Sequence, residues 1–238
     1  YRTLNIDGGE FDLGEGGQLL LDPADFTVTD TVRNAILPTL NGGTDVVIYT
    51  NGADAGVGTG SIIMSSNFSG TSAITGNGSL SLMAWGDVFI RRDLLSNGSG
   101  NINVVAGWDG STPGSFGAPG GGTNTTGTPL ILMDSQIFAD TSTYGNRGGS
   151  VYVGLETDKV TPVNQSTTTM GSRAGQTNVA GFNLVMVGDN TAAATSGDDR
   201  SAQIGYRASD IDVTLGRSAA TGRIRVEMLN DITMSAGL

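Results

Sequence analysis

This chain has no cysteine, no histidine and a single lysine, Lys159. Without cysteine there is neither a disulfide scaffold nor thiolate chemistry. That suits an unstapled bacterial extracellular protein better than a small secreted animal domain, where disulfides are dense. Without histidine, the side chain most used for proton transfer near neutral pH is missing. Long apolar runs are missing too, so no segment reads as a membrane-spanning helix. Basic residues are few: 12 Lys and Arg stand against 23 Asp and Glu, a net charge of −11. Phosphate binding needs a basic face, so nucleic acid and anionic lipid are poor partners for this chain.

What is present is glycine, 38 of 238 residues, with abundant Asn, Ser and Thr. Short alternating segments of Val, Ile, Leu and Met recur throughout, which separates the chain from a disordered polar tract. Gly has no period of three, which separates it from collagen. Many short apolar strands divided by turn residues make an all-β pattern.

One small pattern repeats. Leu80, Leu82 and Ala84 alternate, Gly86-Asp87 intervenes, and Val88 and Ile90 alternate. The same order returns as Ile224, Val226, Met228, then Asn230-Asp231, then Ile232 and Met234. A third partial copy, Asp210, Ile211, Val213 and Leu215, precedes the second by roughly 21 residues. Two strands meeting at a polar corner, repeated, predict a coiled β-solenoid whose stability comes from neighbour stacking.

The expected fold is therefore all-β: a right-handed parallel β-helix of about ten rungs, a rod on the order of 50 Å long. Predicted strands are 18–21, 26–29, 44–50, 60–66, 79–84, 87–91, 101–106, 129–133, 136–139, 150–155, 182–187, 202–208, 210–215, 223–229 and 231–236. Residues 30–40 suggest a short helical turn ending at Pro38. Asn51-Gly52, Asn77-Gly78 and Asn97-Gly98 favour tight reversals. Two glycine- and threonine-containing stretches, 109–128 and 189–200, read as loop insertions on one side of the stack. In the last rung, Ile232 and Met234 are expected on Ile211 and Val213, and Ile224, Val226 and Met228 on Ile204, Tyr206 and Ala208. The chain begins at Tyr1 rather than Met. Residues 1–238 read as a single segment of something longer.

The chain resembles the repeat region of filamentous-haemagglutinin-type bacterial exoproteins of two-partner secretion. The resemblance is carried by Leu19–Asp30 (LLLDPADFTVTD), Thr44–Asn51 (TDVVIYTN), Asn101–Gly110 (NINVVAGWDG), Ala202–Val213 (AQIGYRASDIDV) and Asn230–Gly237 (NDITMSAG), in that order. It covers nearly the whole chain. It implies a right-handed parallel β-helix, export to the cell surface, and a role in attachment or surface filaments. It supplies no catalytic residues.

Some chemistry is conceivable. Asp87, Asp210 and Asp231 fall at equivalent corners and could form a column of carboxylates, the raw material of a polysaccharide-cleaving groove. The competing reading is that each corner Asp accepts hydrogen bonds from nearby backbone N–H groups. Asp54 with its neighbouring glycines, and Gly197-Asp198-Asp199, offer oxygen ligands but match neither the calcium nonapeptide nor the EF-hand spacing. Asn67, Asn77, Asn97, Asn124 and Asn164 each begin an Asn-x-Ser/Thr sequence. Trp85 and Trp108 could stack on sugar rings or plug a corner.

The sequence thus points to an extracellular structural or adhesive rod of a bacterial surface protein, forming or decorating filaments and mediating attachment. The alternative is a carbohydrate-binding or carbohydrate-cleaving β-helix. No catalytic residue, cofactor or metal ligand is assigned. Expected partners are other copies of the chain, end to end or side by side, and host or surface glycans.

Overall fold

The computed structural model describes residues 18–21, 25–50, 59–108, 149–164, 167–188, 201–205 and 221–235. They form three parallel sheets and one α-helix. The first sheet holds β1 (Gln18–Leu21), β3 (Asp45–Tyr49), β5 (Leu80–Ala84), β8 (Ile102–Ala106), β11 (Gln176–Gly181) and β14 (Arg223–Met228), in that spatial order. The second holds β2 (Phe26–Val28), β4 (Ile62–Met64), β6 (Val88–Ile90), β9 (Val151–Val153), β12 (Leu184–Val187) and β15 (Ile232–Ser235). The third holds β7 (Leu94–Ser96), β10 (Thr167–Ser172) and β13 (Ser201–Ile204).

Alternation sets which face points inward, because successive side chains on a strand project to opposite sides. Val46, Leu80, Ile102, Thr177 and Ile224 share one column of the first sheet. Val88, Val151, Leu184 and Ile232 share one of the second. Inward residues of the three sheets meet in one apolar cluster that includes Leu82, Val104, Ile90, Val153, Leu94 and Met170. Each such side chain contributes roughly 1.5–3 kcal/mol when fully buried, before conformational entropy is subtracted.

The helix α1 (Asp30–Asn41) belongs to that core. Thr29 caps it, its hydroxyl accepting from the Val32 amide at 3.4 Å, and Asp30 lies in the first turn. Val32, Ile36 and Leu40 fall on one face and are buried. The helix continues through Pro38 to Asn41, so Pro38 does not end it. Arg33 reaches the Asn67 carbonyl, and the Asn41 side chain accepts from the Thr75 amide at 2.7 Å, fastening the helix to the segment carrying Phe68 and Ile74.

The expectation of an all-β, right-handed parallel β-helix of about ten rungs is corrected. The described residues make three separate parallel sheets with a twelve-residue helix in the core, a layered arrangement of α/β character and not a single solenoid. Two physical reasons stand behind the difference. The expected short helical turn over 30–40 is a full helix whose Val32, Ile36 and Leu40 repeat at helical spacing and enter the core. Equivalent residues are also unevenly spaced: Ile102 follows Leu80 closely, but Thr177 and Ile224 follow only after long intervening segments. Neither of the two larger sheets exceeds six strands.

The final strands also differ from expectation. Ile232 and Met234 pair with Leu184 and Met186. Ile224 and Val226 pair with Thr177 and Val179, while Ile204 pairs with Met170 in the third sheet. The expected partners Ile211, Val213, Tyr206 and Ala208 lie outside the described residues, as do the strands expected at 129–133, 136–139 and 210–215 and the insertions at 109–128 and 189–200. The two copies of the opening pattern do occupy matching columns, Leu80 with Ile224 and Val88 with Ile232, with two strands between them in each sheet.

Candidate functional site

Polar residues at the strand starts form columns of their own. Asp25, Ser61, Asp87, Ser150, Asn183 and Asp231 immediately precede the six strands of the second sheet. Asp25 Oδ1 accepts from the Ser61 amide at 2.8 Å, and Asp87 Oδ1 from the Ser150 amide at 2.8 Å. Asn183 Oδ1 accepts from the Asp231 amide at 3.2 Å. The first sheet repeats the device: Asp45 Oδ1 accepts from Ser79 N at 2.7 Å, Ser79 Oγ from Asn101 N at 3.1 Å, and Asn101 Oδ1 from Gln176 N at 2.8 Å. In the third, Asn67 Oδ1 accepts from Asp93 N at 3.2 Å and Asp93 Oδ1 from Thr169 N at 2.8 Å. Short polar side chains at many of these corners thus hold the backbone of the next layer.

Asp87 and Asp231 share a column, but Ser150 and Asn183 stand between them. They are not a carboxylate pair. Asp210 lies outside the described residues, with Asp54, Gly197, Asp198, Asp199 and Asn124. Among the described residues, no three His, Cys, Asp or Glu side chains gather as a metal site.

Charged and aromatic groups converge at one place, the outer face of the second sheet. Phe89 and Tyr152 are neighbours across β6 and β9, their rings stacked 5.0 Å apart and 11° from parallel. The segment 155–162 folds back through an antiparallel bridge between Leu155 and Pro162. At its turn Asp158 accepts from the amides of Val160 at 3.0 Å and Thr161 at 2.8 Å. Those bonds, with one from the Thr161 hydroxyl, hold the exposed Asp158 carboxyl below its usual pKa. Lys159 adopts φ 66°, the only positive φ of a non-glycine among the described residues. That backbone turns its side chain back over the Tyr152 ring, 5.4 Å from the centroid, and onto Asp87 Oδ2 at 2.7 Å. The hydrogen bond and charge of Asp87 push the Lys159 pKa up, against the opposing effect of burial. Arg91 pairs with Glu156 at the other end of the strap.

The cluster is a closed clamp. Asp87 and Glu156 are each paired with a cation, Asp158 is held by Val160 and Thr161, and Tyr152 stacks on Phe89 and lies under Lys159. A general acid–base pair needs carboxylates facing a substrate, which this geometry does not present. The tryptophans differ from each other: Trp85 is half-buried against Gly60, and Trp108 is 3 % exposed, a plug. Asn67, Asn77 and Asn164 are exposed and Asn97 is half-buried, but Asn67 already serves as a corner acceptor.

Sequence reasoning missed the clamp, because its parts are separated in the chain and an isolated Lys159 carries no pattern. It also missed a buried polar ladder on the first sheet. There Asn103 Nδ2 donates to Ser81 Oγ, and Asn178 Nδ2 to Asn103 Oδ1, each at 2.9 Å. Repeated Asn at matching strand positions was the available signal.

The structural class is a parallel-sheet protein with polar corner columns and one helix packed against its core. No family model, curated protein or solved structure matches this chain. Among the described residues, no helix is long and apolar enough to cross a membrane.

Proposed function

We propose that this chain is a structural and adhesive segment of a bacterial cell-surface protein, forming or decorating filaments and mediating attachment. The observation that carries the reading is the use of the corner columns. In all three sheets corner side chains such as Asp25, Asp45, Asp93 and Asn101 accept from the backbone of the next layer, and Asp87, one of the carboxylates for which chemistry was conceivable, does the same. Such a molecule is organised to hold its own layers together and to offer a surface. The acidic balance and the resemblance to filamentous-haemagglutinin-type exoproteins support a place outside the cell, with copies of the chain and surface glycans as partners. Against the carbohydrate-cleaving alternative, the clamp engages Asp87 and Glu156 with Lys159 and Arg91, and Asp158 with its own turn.

Gold-labelled antibody against this chain, applied to intact cells of the source bacterium, tests the reading. Surface labelling, with loss of attachment when the segment is deleted, is the expected result. Labelling that needs permeabilised cells would sink it.

A further inference from the structure

The strap over the second sheet is braced within itself. The Glu156 amide donates to the Thr161 carbonyl at 2.8 Å, and the Lys159 amide to the Glu156 carbonyl at 3.0 Å. Asp158 accepts from the amides of Val160 and Thr161 and from the Thr161 hydroxyl. Both roots are set in the body. Leu155 and Val163 are buried, the Val163 amide donates to the Gly154 carbonyl, and the Gly154 amide donates to the carbonyl of Ile90 in β6. Among the described residues, the polar ties from 156–161 to the sheets run through two side chains, Glu156 and Lys159. A segment with its own bonds and two outside ties opens as a unit.

The anchors on the sheet are held in place by other bonds. Asp87 gives Oδ1 to the Ser150 amide and meets Lys159 with Oδ2. Arg91 Nη1 donates to Ser65 Oγ at 3.1 Å, and its Nη2 meets Glu156. Asp87 and Arg91 flank the two ends of β6, one acid and one base. The strap offers the complementary charges in the complementary order, so a single placement satisfies both ends. Both ties lie near solvent: the Lys159 side chain is 47% exposed and that of Glu156 31%. Salt weakens ion pairs in such a setting. The buried corner bonds of Asp45 and Asp93 are screened much less.

We propose that residues 156–161 form a salt-released latch: one rigid unit, held shut by two ion pairs of opposite polarity that open together. Lifted, it frees Asp87 Oδ2, the Tyr152 ring and the Arg91 guanidinium from its side chains, while the layers beneath stay joined. The latch needs no partner, and its release does not depend on the adhesive role.

Lys159 reports on the latch because it is the chain's single lysine. Protein grown on isotope-labelled lysine gives one lysine side-chain NMR signal, which the Tyr152 ring displaces upfield while the latch is shut. In about 0.01 M salt, where the screening length is ~30 Å, the signal should sit apart from its position in urea-unfolded protein. In about 1 M salt, where that length is ~3 Å, it should move most of the way there, while the circular-dichroism spectrum stays that of the folded protein. Glu156→Ala, made at the far tie, should raise the open-to-closed ratio at Lys159 about threefold in low salt. A signal that ignores salt overturns the proposal. So does one that follows salt but ignores Glu156→Ala, because the two ties then break separately. A signal already at its unfolded position in low salt also overturns it, since the strap is then never shut. Movement that comes only with loss of the folded spectrum does the same, because the whole molecule is then opening.

Discussion

Asp45 gives one carboxylate oxygen to the Ser79 amide, while its Oδ2 is buried without a donor among the described residues. Desolvation is the leading cause and pushes its pKa up, against the lowering effect of its bonds to Ser79. The folded chain therefore holds this proton more tightly than the unfolded chain. The stabilising contribution of this group is complete below the unfolded carboxylate range and is lost as pH rises through the folded pKa. Asn101 performs the same task two corners further on, without a charge. Asp45→Asn should raise the melting temperature at pH 7, with the advantage over the parent shrinking as pH falls through the carboxylate range. An advantage that is constant from pH 3 to 7 would count against the burial argument. Gly100 is a different kind of constraint. A Cβ there would stand 2.0 Å from the Gly78 carbonyl oxygen, a backbone atom that cannot swing aside. Gly100→Ala should cost about 2 kcal/mol in urea unfolding, because the layers must part to admit it.

At the scale of the element, the same substitution should differ in cost between strands of one column. Val104 in β8 is buried between Leu82 of β5 and Val179 of β11. Among the described residues, Val226 in β14 has a strand neighbour, Val179, on one side only. Val104→Asp buries an unpaired charge and should cost about 4 kcal/mol or more. Val226→Asp should cost less than half as much by chemical denaturation of dilute protein, since its carboxylate can reach water. Equal losses would contradict the column assignment. This contrast also marks what the sequence disclosed. Strands rich in Val, Ile and Leu, such as β3, β5 and β8, fall within a residue or two of their expected positions. The strands β10 (TTTMGS) and β11 (QTNVAG) were not foreseen, because their stability rests on neighbours and on Asn178 bonding Asn103, not on local apolar alternation. The corner role of Asp87 was legible as one of two readings. Its second bond, to Lys159, was not, since nothing local predicts that 155–162 folds back over Tyr152.

For the whole molecule, cohesion is graded along the stack. Among the described residues, the middle strands have a neighbour on both sides and the last have one. Local opening follows the number of contacts a segment must break. Amide hydrogen exchange on dilute protein should be slowest in β5 and β8, and fastest in β14 and β15. Uniform protection across all six strands of the first sheet would show a single cooperative unit instead.

Lys159 carries the chain's one ε-amine, and that amine is held against Asp87 and Tyr152. An acylating reagent consumes the free, unprotonated amine, and the Asp87 contact disfavours that form. Modification at this nitrogen therefore works as a chemical clock: each acylated molecule records a moment when the strap had lifted. A peptide-level mass spectrum that locates the added group on Lys159, apart from the α-amine, could time that breathing on the native protein, with no mutation and no attached probe.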